Sequence, residues 1–174
     1  LQSTTGDGII RSALPLDQDT ACTAASHLHK SVSRLTLDQG RILAVIEEKL
    51  GAVTLRSTRD LNPDREAVRS FALAELAKMS VADLPWSQSA SQLRLRILKC
   101  QEFLGDPWPL VDDEHFIISC GQFLADQWSD GRPLAQLSLG EALTSLLVWP
   151  LNRDLDRQAP TQITIPTGAE RRVK

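Results

Sequence analysis

Arg59-Asp60-Leu61-Asn62-Pro63-Asp64-Arg65-Glu66-Ala67-Val68-Arg69-Ser70-Phe71-Ala72 divides the chain into two kinds of pattern. Before it, apolar residues tend to alternate with polar ones, the two-residue period of a half-buried strand. After it, Val68, Phe71, Ala72, Leu76 and Met79 fall at offsets 0, 3, 4, 8 and 11, one apolar stripe on a helix. Asn62-Pro63 at the join reads as a helix cap followed by proline at the first helical position. The change of period predicts an α+β fold: a small antiparallel, OB-like β region, then a helical bundle, then a terminal β element.

Working back from the join, Ala52–Leu55, Ile42–Leu50 and Val32–Leu37 read as strands. Asp38-Gln39-Gly40 is a tight connection with glycine available for positive φ, and Gly51 bends the chain between Ile42–Leu50 and Ala52–Leu55. Gly8–Leu16 reads as a further strand. Asp17 follows it as a cap for a helix over residues 18–29.

Downstream, Leu93, Ile97, Cys100 and Leu104 make a second helical stripe, ended at Gly105-Asp106-Pro107. Phe116, Cys120, Phe123, Leu124 and Trp128 make a third, ended near Asp130-Gly131. Ser138-Leu139-Gly140-Glu141 has the spacing of a capping box and opens a helix broken at Pro150, where a short one starts. Thr161–Ile165 turns back to β, Pro166-Thr167-Gly168 is a turn signal, and Val173 begins a return strand.

The balance of charge narrows the function. With 42% hydrophobic and 24% charged residues, the 174-residue chain has the composition of a folded domain. A net charge of −3 and a pI near 5.6 argue against a free-standing nucleic-acid binder, while leaving room for a local basic groove. Cys22, Cys100 and Cys120 are widely spaced, with no C-x-x-C, and read as small buried hydrophobes. No apolar run approaches the roughly 18 residues of a membrane span. Leu1–Gly8 is polar, with neither a basic nor an apolar leader segment. Both ends read as cut, so the expectation is a piece of a longer protein.

No residue set announces catalysis. There is no G-x-x-x-x-G-K-[ST] loop to cradle phosphates. His27, His29 and His115 lack the spacing of a metal helix, and no nucleophile elbow is present. Asp112-Asp113-Glu114 follows a Trp-Pro pair and opens a helix, where acidic side chains suit the positive end of the helix dipole. Ser87 reads as a helix-start residue. The expected site content is therefore no catalytic, no cofactor-binding and no metal-binding residue.

Two groups could meet a ligand. Trp86, Trp108 and Trp149 each adjoin a proline. They read as clamps holding helix ends in the core, with stacking on an unpaired base as the competing use. Arg94, Arg96 and Lys99 on one helix, Arg153 and Arg157 on another, and Arg171 and Arg172 near the end are the candidate nucleic-acid contacts. Arg94 points away from the side shared by Arg96 and Lys99, and Asp154 and Asp156 interleave with Arg153 and Arg157, so neither set is a clean stripe.

Three fingerprints occur in order. Leu84-Pro85-Trp86-Ser87 runs into Ser91-Gln92-Leu93-Arg94; Trp108-Pro109 precedes Asp112-Asp113-Glu114; and Ala159-Pro160-Thr161-Gln162-Ile163-Thr164-Ile165-Pro166-Thr167-Gly168 closes the series. In this order and spacing the chain resembles the C-terminal region of the HrpB-type DEAH-box ATP-dependent helicases of bacteria, over roughly residues 8–174. Gly40-Arg41 and Leu50-Gly51-Ala52 extend the resemblance more weakly toward the start.

The resemblance implies a cytoplasmic RNA helicase whose ATP and Mg²⁺ are held by upstream RecA-like domains, outside this chain. It implies residues 1–60 as the end of an OB-like β module and 61–174 as the family's helical C-terminal domain, truncated at its end. Partners would be RNA or single-stranded nucleic acid and the upstream domains of the same protein, with no membrane. The alternative is a protein-docking domain without nucleic-acid contact.

Overall fold

The structure is a computed structural model and describes residues 15, 17–164 and 170–172. The elements run α1 (Gln18–Ala24), β1 (His29–Asp38), β2 (Arg41–Leu50), β3 (Val53–Arg59), α2 (Arg65–Leu76), α3 (Gln88–Leu104), α4 (Phe116–Ser129), α5 (Leu139–Leu146), α6 (Leu151–Gln158), β4 (Gln162–Thr164) and β5 (Glu170–Arg172). The α+β order read from the sequence is the order observed. β1, β2 and β3 form an antiparallel sheet in sequence order. β4 and β5 pair antiparallel, with Gln162 opposite Arg172 and Thr164 opposite Glu170.

Several boundaries differ from expectation, each for a local reason. α1 stops at Ala24, a short 3₁₀ turn follows at Ser26–Leu28, and β1 begins at His29, so the expected helix over 18–29 is split. Asp17 does cap its start, accepting from the Thr20 backbone N–H at 2.9 Å and from the Thr20 hydroxyl at 2.7 Å. β3 runs on to Arg59, past the expected end at Leu55. The cap of α2 is Asp64 rather than Asn62, because Asp64 Oδ1 reaches the Glu66 N–H at 3.1 Å. The expected strand over Gly8–Leu16 lies outside the described residues apart from Pro15, which is in no strand, and Val173 and the Pro166-Thr167-Gly168 turn also lie outside them.

Tertiary contacts group the chain into two units: residues up to Arg34 with Ile46–Thr58, and Leu35–Val45 with the residues from Arg59 onward. The division therefore runs through the strands. In the first unit, Glu47 pairs with Lys49 at 2.8 Å and with Arg34 at 3.8 Å. These pairs hold the Glu47 carboxyl below its usual range, with the Lys49 hydrogen bond the largest cause. Gly51, at φ 60°, turns β2 into β3 and donates its N–H to the Leu28 carbonyl at 3.0 Å.

The second unit carries the core. Val68, Ala72 and Leu76, spaced by four, bury one side of α2 against α4. Gly121 on α4 permits their close approach, since a Cβ there would stand 3.0 Å from Leu73 Cδ1. α3 contributes Ala90, Ile97 and Cys100, α5 contributes Leu139, Ala142 and Leu143, and α6 adds Leu151 and Leu155. Each large aliphatic side chain among them is worth roughly 1.5–3 kcal/mol on burial.

The β1–β2 turn belongs to this unit. Gln39 and Gly40 both have positive φ, 47° and 74°, as a two-residue type I′ turn requires. The Gly40 carbonyl then accepts from the Trp128 indole N–H at 2.9 Å and from the Leu134 N–H at 2.7 Å. Trp128 is 1% exposed, so the turn is pinned by the largest of the fully buried side chains.

Ser138 caps α5 through its hydroxyl, which accepts from the Glu141 N–H at 3.4 Å. The reciprocal half of the expected capping box is absent. The Ser138 N–H donates instead to Gln127 Oε1 at 2.8 Å, and the Glu141 carboxylate accepts from Gln127 Nε2 at 3.3 Å. The buried Gln127 on α4 thus takes the place that Glu141 would fill.

Candidate functional site

The two arginines of α3 are held inside the fold. Arg94 leaves α3 toward the segment ahead of α4, where Nε donates to the Val111 carbonyl at 2.6 Å and Nη2 to Asp113 at 2.6 Å. Its guanidinium lies 5.2 Å from the Trp86 ring centroid and 5.4 Å from that of Phe116. Those rings are themselves 5.0 Å apart and tilted. The Arg94 side chain is only 17% exposed. Arg96, two residues on, leaves the helix on the opposite side. It donates to the Ala159 carbonyl at 2.6 Å and to Asp156 at 2.5 Å, tying α3 to the end of α6. Lys99 is more open, paired with Glu102 at 2.6 Å and 5.7 Å from the Phe103 ring.

The second basic set is outward. Leu151 and Leu155 turn α6 into the core, which leaves Arg153 and Arg157 on its outer side, 67% and 72% exposed. Arg153 and Arg157 approach Asp154 at 3.2 Å and 4.0 Å. Side chains of Arg171 and Arg172 are outside what the structure describes; their backbones form β5.

The tryptophans divide likewise. Trp86 is a clamp: its indole N–H donates to the Val81 carbonyl at 2.7 Å. Trp108 is buried in the core cluster. Trp149 departs from the expected clamp. It is 75% exposed, beside an equally outward Val148, with Arg153 6.0 Å from its ring. Adjacency to proline does not bury it, because Leu147 and Leu151 on either side already fill the core positions of this turn.

Asp112 works as a structural cap. One carboxylate oxygen accepts from the Glu114 and His115 N–H groups at 3.0 and 2.8 Å and faces His115 Nδ1 at 2.7 Å. These bonds, the His115 ring foremost, hold the Asp112 carboxyl below its usual range. Ser87 opens α3, its hydroxyl accepting from the Ala90 N–H at 3.1 Å. Among the described residues no group of three His, Cys, Asp or Glu side chains could hold a metal ion, and no helix is long and apolar enough to cross a membrane.

Two clefts of the second unit are open to solvent. One, about 510 Å³ between α3 and α5, is lined by Ser89, Ala90, Leu93, Glu141 and Thr144. The other, about 360 Å³, lies by Ile42, Asp60, Arg65 and Asp130, where Arg65 and Asp130 already pair at 3.0 Å. Neither brings a nucleophile to a base.

Two of the three thiols, Cys100 and Cys120, are buried. Burial pushes the Cys120 thiol up to about 12, against a smaller opposing effect of the Arg94 charge, and raises Cys100 as well. At pH 8 the thiolate fraction of Cys120 is therefore on the order of 10⁻⁴. We expect a thiol-specific disulfide reagent at pH 8 to label Cys22, the least buried, and to leave Cys100 and Cys120 unmodified until denaturant is added. Rapid modification of all three in the native protein would contradict the packing described above.

No protein-family model matches the chain. It is 28% identical over 173 residues to the ATP-dependent RNA helicase HrpB of Escherichia coli K12, a match covering 96% of this chain and 21% of that protein. The crystal structure of the E. coli DEAH/RHA helicase HrpB superposes with a TM-score of 0.58 at 26% identity, over 84% of this chain and 20% of that one. A second, of the E. coli DExH-box NTPase HrpB, gives 0.56 at 26% identity over 90% and 20%. The chain thus spans about a fifth of the length of the curated relative. In sequence and in fold alike, it resembles the C-terminal region of an HrpB-type helicase.

Proposed function

We propose that this chain is the C-terminal accessory region of a cytoplasmic bacterial ATP-dependent RNA helicase. Domains elsewhere in the polypeptide would hydrolyse ATP with Mg²⁺ and drive unwinding. The single observation that carries this reading is the similarity to the HrpB helicase along 96% of the chain, matched by the fold. The chemistry of the residues agrees with an accessory role. Phosphoryl transfer needs a loop of backbone N–H groups around the phosphates and an acidic group on Mg²⁺. The sequence of this chain contains no G-x-x-x-x-G-K-[ST] phosphate loop. Its role is then to bind or to orient.

A docking role is the second reading, favoured by the net acidity and by the outward Phe103 and Ile118. Titrating oligoribonucleotide binding by the chain against salt separates the two. With phosphate contacts, the logarithm of the affinity falls by about 0.7 per logarithm of salt for each contact to a single strand. A steep fall supports an RNA path. Binding that is absent even at low salt refutes it and leaves docking.

A further inference from the structure

Arg153 and Arg157 stand four residues apart on one side of α6, and Trp149, in the turn ahead of the helix, has the Arg153 guanidinium 6.0 Å from its ring centroid. All three side chains are exposed. The other tryptophans are buried or part-buried; Trp86 and Trp128 donate their indole N–H groups to backbone carbonyls. The exposed indole stands ahead of a helix anchored from beneath by Leu151 and Leu155, with Arg153 and Arg157 on the outer side of that helix.

We propose that this group binds single-stranded RNA, one unpaired base stacking on Trp149 and the adjoining phosphates meeting Arg153 and Arg157. This proposal rests on the helicase reading above. Three physical points carry it. Every base has a π-face, so a flat exposed indole accepts any of them, and the neighbouring cations supply the backbone charge that stacking alone does not. The local charge favours an anion: Asp156 is already taken by Arg96, so three guanidiniums face the two carboxylates of Asp154 and Asp156. The Arg153 guanidinium already lies over the Trp149 ring, 6.0 Å from its centroid, which places a cation beside the indole while the side chain stays 75% exposed. An apolar protein partner would find Trp149 and Val148 suitable but would have to desolvate the two arginines, which makes it the less favoured occupant.

The test is made on the full polypeptide that carries this chain, with a fluorescein-labelled oligouridine read by anisotropy across a salt series. Trp149→Ala is expected to weaken binding roughly 5- to 150-fold, and Trp149→Phe to retain most of it. The pair Arg153→Gln and Arg157→Gln is expected to reduce the salt slope by about 1.4. Unchanged affinity in Trp149→Ala overturns the proposal. So does an unchanged salt slope in the arginine pair, which would assign the group to a protein neighbour. RNA-stimulated ATP hydrolysis is read on the same samples. If it persists while these variants bind as the parent does, the site alone is wrong. If the parent polypeptide shows neither RNA binding nor stimulation, the helicase reading itself fails and the proposal with it.

Discussion

Trp128→Ala is expected to lower the unfolding free energy by roughly 3–5 kcal/mol, the largest loss of any single change considered. Two effects add. Removing a nearly fully buried indole leaves a cavity where α4 faces its neighbours. The same change takes the donor away from the Gly40 carbonyl, which keeps only the Leu134 N–H. Trp128→Phe separates them, since it retains most of the volume and loses the hydrogen bond, at a cost of about 1–2 kcal/mol. Urea unfolding followed by far-UV circular dichroism reads both. A parent-like midpoint for Trp128→Ala would mean that the β1–β2 turn and α4 do not meet as described.

Arg94→Ala is expected to cost roughly 2–3 kcal/mol, well above the near-zero median for exposed ion pairs. The contact with Asp113 contributes little, because that carboxylate is largely solvated. The loss comes from the part-buried Val111 carbonyl, left without its donor, and from the packing of the guanidinium against Trp86 and Phe116. Arg94→Lys should recover only a small part, since an ammonium cannot serve the carbonyl and the carboxylate at once while packing against two rings. Thermal melts of the three proteins decide it. Full recovery by lysine would show that charge, not the planar fork, is what the site uses.

Some of this was readable from periodicity alone. The stripe of Val68, Ala72 and Leu76 predicts the buried side of α2, and Ser87 and Ser138 mark helix starts where caps are observed. Apolar spacing reports such faces because the helix repeats every 3.6 residues whatever lies opposite. The candidate ligand contacts were less accessible. Arg94 and Arg96 read as candidate nucleic-acid contacts, yet their Nε groups donate to the backbone carbonyls of Val111 and Ala159. A backbone acceptor carries no side-chain signal, so only the folded path of the chain reveals it. Trp86 and Trp149 show the same limit: both adjoin a proline, and one is clamped while the other faces solvent. The half-formed capping box at Ser138 has a similar origin, since Gln127 lies eleven residues away and competes for both groups.

The proposed role puts nucleotide hydrolysis in domains outside this chain. ATP hydrolysis with and without RNA, measured in parallel on the full polypeptide and on these 174 residues, tests that role. RNA-stimulated phosphate release is expected from the full polypeptide, and none above the buffer blank from the chain alone. Hydrolysis by the chain that survives repurification, or a full polypeptide with no nucleotide hydrolysis at all, would contradict it.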